Sequence, residues 1–413
     1  MSIQQEPSLK SSLIKDYPIW VTGMGAVSAA GLSAEALWDA ACEGRRQRSW
    51  QIFDENHQYL TAQVPDITDV ISEDRSLRKL DRTGQLSGLA VEEAMTQAGL
   101  ERENSRAGVI LGTSRGTLSK YMEAVNSMNR KKMRPLLAAT GTMASISGSI
   151  VNRWGLQGPA MTVSSACASA VHAIASAAET ILLGDADIMI AGGVDACLHP
   201  SVLGVLSAAD VFGSDEDDQL VCRPFDKDRN GMLLGEGAGC LILESARSAM
   251  QRGAKPLAIL RGWSLGSDGD ARTGVDEQGD VILRTMQNSA QVASISAADI
   301  GYINAHGTGT PMNDIAEANA IESFQVDGQP IAVSSTKPIT GHCLGATPAL
   351  EAILTIKSLN EGLLPATMGC LAQDPKCKID VIMQEPRRSD AQFALSNSLG
   401  FWGHTGTLLF GCS

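Results

Sequence analysis

The chain reads as an α/β fold, and its segment order and composition carry that reading. Short apolar segments that stop at glycine turns alternate with small-residue helical segments along most of its length. Apolar residues make up 44% of the 413 residues, yet aromatics supply only 4%. Abundant Gly and Ala suit helices packed closely on a parallel sheet. A chain of this length can bury a substantial core, as two domain-sized units or one large duplicated domain.

The first series opens with the strand-like IWVTGMG and the helical LSAEALWDAACEG. GVILGTS is the next apolar segment to close on a turn. TVSSACASAVHAI then breaks at two serines before an alanine-rich helix, and DIMIAGGVDA follows as a further strand. After about residue 250 a second series begins. It runs LAILRGWSLG as a strand, ILRTMQNSAQVAS as a helix, YINA as a strand, a helix from Asp314 to Ser323, and IAVSS as a strand. The two series rhyme. In each, a short apolar strand leads to a turn bearing a reactive side chain, Cys167 in one and His342 in the other, and then to a small-residue helix. We therefore expect an N-terminal half over residues 16–250 and a C-terminal half over 251–413. The acidic GSDEDDQ (213–219) is expected to be an exposed loop.

A formal charge of −13 argues against a nucleic-acid-binding surface, so any anionic partner needs a local basic patch. Nine cysteines form an odd set without a CxxC pair, which favours reduced thiols in a cytoplasm-like compartment. The polar start MSIQQEPSLKSSLIKDY lacks the apolar centre of a signal peptide. The longest uncharged stretch, Trp154 to Ala178, contains Gly155, Gly158, Pro159, four serines and His172, a poor composition for a bilayer and a reasonable one for buried core.

Three residues stand out chemically. Cys167 falls at a helix start, where unpaired N–H groups and a partial positive charge should shift a thiol toward thiolate. His306 in YINAHGTGTPMND and His342 in STKPITGHCLG are each flanked by glycine, which lets backbone approach a ligand closely. Together they suggest acyl transfer; a zinc site from the same three residues is the competing reading, without a local ligand pair or a fourth candidate. TGMGAVS resembles a dinucleotide turn, but Ser28 replaces the third glycine, and GEGAG (235–239) leads into the strand CLILE where a phosphate site needs a helix. The cysteines at 42, 197, 222, 240 and 377, and His57, His172 and His199, are read as structural.

In their order and spacing, VTGMGAVSAAG, SSACAS, RPFDKDRNGMLLGEGAG, NAHGTGTPMND, STKPITGHCLGA and NSLGFWGHTGTLLF make the chain resemble the β-ketoacyl-acyl-carrier-protein synthases, nearest the type II elongating class of the thiolase superfamily. The resemblance spans roughly residues 18–412. It implies a five-layered αβαβα fold, a homodimer, and decarboxylative condensation of an acyl chain with malonyl-acyl-carrier protein. Cys167 would carry the acyl group, and the N–H groups of Cys167 and Phe401 would form an oxyanion hole. His306 and His342 would stabilise the enolate, and Lys337 would either tune His342 or form a salt bridge with Glu351. No cofactor is implied, since the phosphopantetheine arm belongs to the carrier protein. Asn304, Glu351 and Asn397 match positions around a structural monovalent cation in some relatives.

The same resemblance assigns carrier docking to Arg75, Arg78, Lys79 and Arg82, in a first docking helix, and to Lys131 and Lys132 in RKKMR. DEDD stands where relatives carry a basic residue before RPFD. Around the acyl pocket Met232 replaces Phe, Trp402 replaces Gly, Thr405 replaces Asn, and Ala346, Thr347 and Pro348 replace AAG. These departures leave a specialised synthase for a polyene or other unusual acyl chain beside ordinary fatty-acid elongation. The alternatives to a condensing enzyme are a chain-length-factor-like subunit of a heterodimer, against which Cys167 and both histidines argue, and a coenzyme A-dependent thiolase, for which Cys412 lacks the context.

Overall fold

The computed structural model describes residues 9–55, 57–101, 106–129, 135–269, 276–326 and 328–413. Of the eleven strands in its main β-array, Asp380–Val381 pairs with Ala332 and Val333 at one edge, and the other ten form the framework. In the first half these are β1 (Ile19–Val27), β2 (Ala107–Gly112), β3 (Ala160–Val163), β4 (Ile188–Asp195) and β5 (Gly237–Ser245). The second half contributes β6 (Ala258–Ser267), β7 (Ile300–Asn304), β8 (Ala332–Ser334), β9 (Phe393–Leu399) and β10 (His404–Gly411). The first five pair in the order β3-β2-β4-β5-β1, the second five in the order β8-β7-β9-β10-β6. Numbered within its half, each set therefore has the order 3-2-4-5-1. The senses match too: β2 is parallel to β3 and β4, as β7 is to β8 and β9, and the remaining pairs are antiparallel. The rhyme of the two series is thus a repeated topology. A short antiparallel pairing of Ile19–Val21 with Ala258–Leu260 joins the sets edge to edge.

Six helices complete the layers: α1 (Arg82–Gln97), α2 (Ala144–Trp154), α3 (Ser169–Leu182), α4 (Asp280–Ala293), α5 (Pro311–Phe324) and α6 (Thr347–Glu361). Helices α3 and α6 each touch strands of both sets, so they form a middle layer between two sheets. Helices α1 and α2 cover the outer face of the first sheet, while α4 lies on the second with α5 beside it. This is the expected αβαβα order. The middle helices are buried nearly all round, which is why α3 reads SAVHAIASAAETIL: small residues let helix and sheet backbones approach on both sides.

The glycines of TGMGAVS serve this packing. Thr22–Val27 of the segment are strand within β1, and a Cβ on Gly25 or Gly23 would sit 2.0 Å from Ala90 O or 2.2 Å from Ala94 O of α1. Helix-on-strand contact, not phosphate, requires them. Likewise GEGAG runs directly into β5.

Candidate active site

Chain reversal after β3 shapes the Cys167 turn. Ala166 adopts a left-handed conformation (φ 49°), which lifts Cys167 to the start of α3. Ser169 pins the turn: its hydroxyl accepts from Ser165 N–H at 2.9 Å and donates to Ala166 O at 2.6 Å. Cys167 is only 7% exposed. Its thiol is not shifted toward thiolate as the helix start suggests. Burial, reinforced by the Asp195 carboxylate, pushes it up to about 12, outweighing the lowering by Lys337, Arg115 and a hydrogen bond from the Phe401 backbone. Asp195, at the end of β4, escaped the sequence reading. It is fully buried and accepts from Thr113 Oγ1 (2.9 Å) and from the backbone N–H groups of Ser114 (2.8 Å), Arg115 (3.0 Å) and Gly345 (2.7 Å). It ties the loop after β2 to the turn before α6. Its one sequence signal is a charge closing an apolar strand.

Two carboxylates on α5 hold the histidine loop after β7. Glu317 accepts from the N–H groups of His306 and Gly307, both at 2.8 Å, and Asp314 accepts from Thr308 (3.1 Å) and Gly309 (3.2 Å). The His306 and His342 rings meet edge to face with centroids 5.3 Å apart. Both imidazoles are held neutral: burial first, then the Lys337 charge, lowers them well below the usual histidine value. Lys337 Nζ lies 3.3 Å from His306 Nδ1 and 2.7 Å from Glu351 Oε1 and also contacts His306 O. The salt bridge and the tuning role are therefore one arrangement, but the ring it contacts is His306, not the sequence neighbour His342, because Gly341 (φ 67°) redirects the chain. Since an ammonium only donates, His306 Nδ1 is the acceptor and Nε2 carries the proton. His342 Nδ1 lies 3.1 Å from Thr347 Oγ1; when that hydroxyl donates, Nε2 of this ring carries the proton as well. Thr347 is one of the departures seen in the sequence.

A cavity of about 440 Å³ brings Cys167, His306 and His342 together. Phe401, Met232 and Trp402 also line it. Met232 is buried, in an apolar cluster with Cys167, Leu206 and Leu344. Trp402 is 65% exposed, with left-handed backbone (φ 65°), and so belongs to the rim more than to the acyl channel. Gly400 lets this loop lie against the nucleophile turn: a Cβ there would be 3.0 Å from Ser165 O and 3.1 Å from Cys167 N.

Asn304 Oδ1, Glu351 Oε2 and Ser396 Oγ are buried oxygens without hydrogen-bond partners, and oxygen ligands suit a cation. Asn397 is otherwise engaged, accepting from Thr407 Oγ1 at 3.0 Å and facing Glu317 Oε1 at 3.4 Å. Among the described residues, no three His, Cys, Asp or Glu side chains form a group that could hold a metal ion.

Arg75, Arg78 and Lys79 are exposed on a tight turn, with Leu77–Lys79 as a short 3-10 segment instead of the expected docking helix. The helix starts only after Asp81, whose carboxylate caps it at Gly84 N. Arg82 departs from the docking group: its Nε donates to the buried Glu236 at 2.7 Å, turning the guanidinium inward. Lys131 and Lys132 lie outside the described residues.

A buried thiol at a helix start, paired neutral imidazoles and a repeated αβαβα fold define a thiolase-like condensing site. Residues 16–249 match the beta-ketoacyl synthase N-terminal domain and residues 257–370 its C-terminal domain; the chain belongs to the β-ketoacyl synthase family. A 3-oxoacyl-acyl-carrier-protein synthase 2 of Staphylococcus aureus is 32% identical over 401 residues, 94% of this chain and 100% of that one. A type II polyketide ketosynthase solved with its acyl-carrier protein and bound to the hexaketide is similar with TM-score 0.88 and 27% identity, over 96% of this chain and 100% of that one. The ishigamide ketosynthase/chain length factor is similar with TM-score 0.87 and 29% identity, over 96% and 99%. Among the described residues no helix is long and apolar enough to cross a membrane.

Proposed function

We propose that this protein condenses an acyl chain, held on Cys167, with the two-carbon unit of malonyl-acyl-carrier protein, giving a 3-oxoacyl-carrier product and CO2. The observation that carries this is the single cavity shared by the thiol and two neutral imidazoles. In the first step Cys167 sulfur attacks the thioester carbon of an acyl carrier. The carbon–sulfur bond to the carrier breaks, and the thiol proton leaves on the departing sulfur. The hydrogen bond from the Phe401 backbone to Cys167 supports its place in the oxyanion hole, with the N–H of Cys167 as the second donor. Malonyl carrier then loses CO2, and the electron pair of the broken C–C bond becomes an enolate on the thioester oxygen. Nε2–H groups of His306 and His342 stabilise that charge. The enolate carbon attacks the acyl carbon, and the released Cys167 sulfur takes a proton from solvent.

Lys337 and Glu351 act by positioning His306. Arg75, Arg78 and Lys79 form the carrier-docking surface, and Met232 and Trp402 shape the channel and its rim. A monovalent cation between Asn304 and Glu351 would brace the strand ends behind the site. The enzyme needs no cofactor of its own, acts as a dimer, and divides at residues 16–250 and 251–413. All nine cysteines are unpaired, which suits a reducing, cytoplasm-like compartment.

Mass spectrometry of the intact protein after incubation with acyl-carrier pools tests the reading. Wild type should gain an acyl mass on Cys167 and Cys167→Ala should gain none while staying folded. Acylation of the variant at the wild-type rate would overturn the assignment.

A further inference from the structure

Arg115 lies in the loop after β2 and lines the cavity that holds Cys167. Its backbone is anchored, because its N–H bonds Asp195, which also grips Gly345 of the other half. Among the described residues, neither an ion pair nor a hydrogen bond of its guanidinium is observed. The charge is felt at Cys167, together with that of Lys337, and at the buried Cys197, while at both histidines the cation felt is Lys337. Arg115 lines the same cavity as Leu206, Met232 and Leu344, which belong to the apolar cluster around Cys167. Solvent reaches Arg115, which is exposed. A plain hydrocarbon filling the cavity would displace that water and return no acceptor, an unfavourable exchange for a cation with five donors.

We propose that the acyl chain carried on Cys167 bears an oxygen acceptor, a keto group or a carboxylate, which the Arg115 guanidinium binds. This rests on the condensing-enzyme reading and narrows its substrate class. A keto oxygen accepts one or two N–H bonds, while a carboxylate accepts the fork of the guanidinium bidentately.

The test is competition among carrier-bound primers of one chain length: saturated, oxo-substituted and ω-carboxylated. The acyl group found on Cys167 by mass spectrometry is the readout, for wild type, Arg115→Leu and Arg115→Lys. Wild type should favour an oxygenated primer over the saturated one by roughly tenfold or more, the order expected when a site built to bond oxygen meets an analogue lacking it. Arg115→Leu should collapse that ratio, and Arg115→Lys should retain part of it for the carboxylate and less for the ketone. The oxygenated primer whose advantage disappears identifies the acceptor. A saturated primer preferred by wild type, or a ratio unchanged in Arg115→Leu, overturns the proposal. If no primer acylates wild-type Cys167, the condensing reading itself fails and this inference falls with it.

Discussion

In the proposed reaction Cys167 enters as a thiol and the imidazoles beside it as neutral donors, and both conditions come from burial. Removing either donor should be severe. His306→Ala and His342→Ala should each lower malonyl decarboxylation by about 10²-fold or more, with Cys167 acylation less affected. Normal decarboxylation by either variant in a single-turnover assay would make that histidine structural. Thr347 offers a finer probe. Thr347→Val keeps the volume but deprives His342 Nδ1 of its 3.1 Å hydroxyl partner, so the ring loses its tautomer preference. We expect kcat for decarboxylation to fall roughly tenfold with KM little changed, since a donor to a developing charge is weakened while ground-state binding is not. Thr347→Ser should restore it; an equal fall in the Ser and Val variants would mean that packing, not the hydroxyl, matters. The pH dependence follows from the same burial. Both imidazoles titrate well below the ordinary value, so the neutral donor form persists as pH falls through about 6.5. Decarboxylation by Cys167→Gln, whose side-chain carbonyl imitates the acyl-enzyme, should therefore show no loss centred near pH 6.5. A midpoint there would mean that the rings are solvated.

Between elements, the decisive contacts are backbone approaches that only glycine permits. At Gly25 the carbonyl of Ala90 occupies the position 2.0 Å from where a Cβ would stand. Gly25→Ala must push α1 off β1, and should cost about 1–3 kcal/mol, the usual range for overpacking a tight core. Urea unfolding reads this as a lower midpoint at unchanged slope. An unchanged midpoint would show that the helix yields without penalty. Trp402 is the opposite case, a large L-residue in left-handed backbone at a position where the family resemblance implies glycine, a conformation that costs roughly 1–2 kcal/mol. The bulk at the cavity rim was legible in the sequence; the strain and the 65% exposure were not, because both depend on how the loop after β9 lies against the Cys167 turn.

Over the whole molecule, a net charge of −13 repels an acidic carrier protein, so docking relies on local basic patches. Reversing charge at Arg75, Arg78 and Lys79 together should raise KM for acyl-carrier protein severalfold and flatten its salt dependence, while turnover of a small pantetheine thioester stays near wild type. Equal losses on both substrates would point to misfolding and remove the patch from the docking surface. Arg82 is left out of the variant because reversing it would strand the buried Glu236 carboxylate without its partner, a strongly destabilising change.

The α/β alternation, the repeated series, Cys167 with its two histidines, and the unsuitability of TGMGAVS for a nucleotide were all legible in the amino-acid order. Each is a matter of local period, turn chemistry or residue type. What Lys337 contacts, which way Arg82 faces, the helical or turned state of DRSLRKLDR and the protonation of Cys167 belonged to the tertiary structure. Those depend on partners far apart along the chain: Asp195 meets Gly345 across 150 residues, and Arg82 meets Glu236 across 154. Local sequence can place a thiol at a helix start, but the sign of its pKa shift is decided by how much water the folded chain removes and which distant charge it brings near.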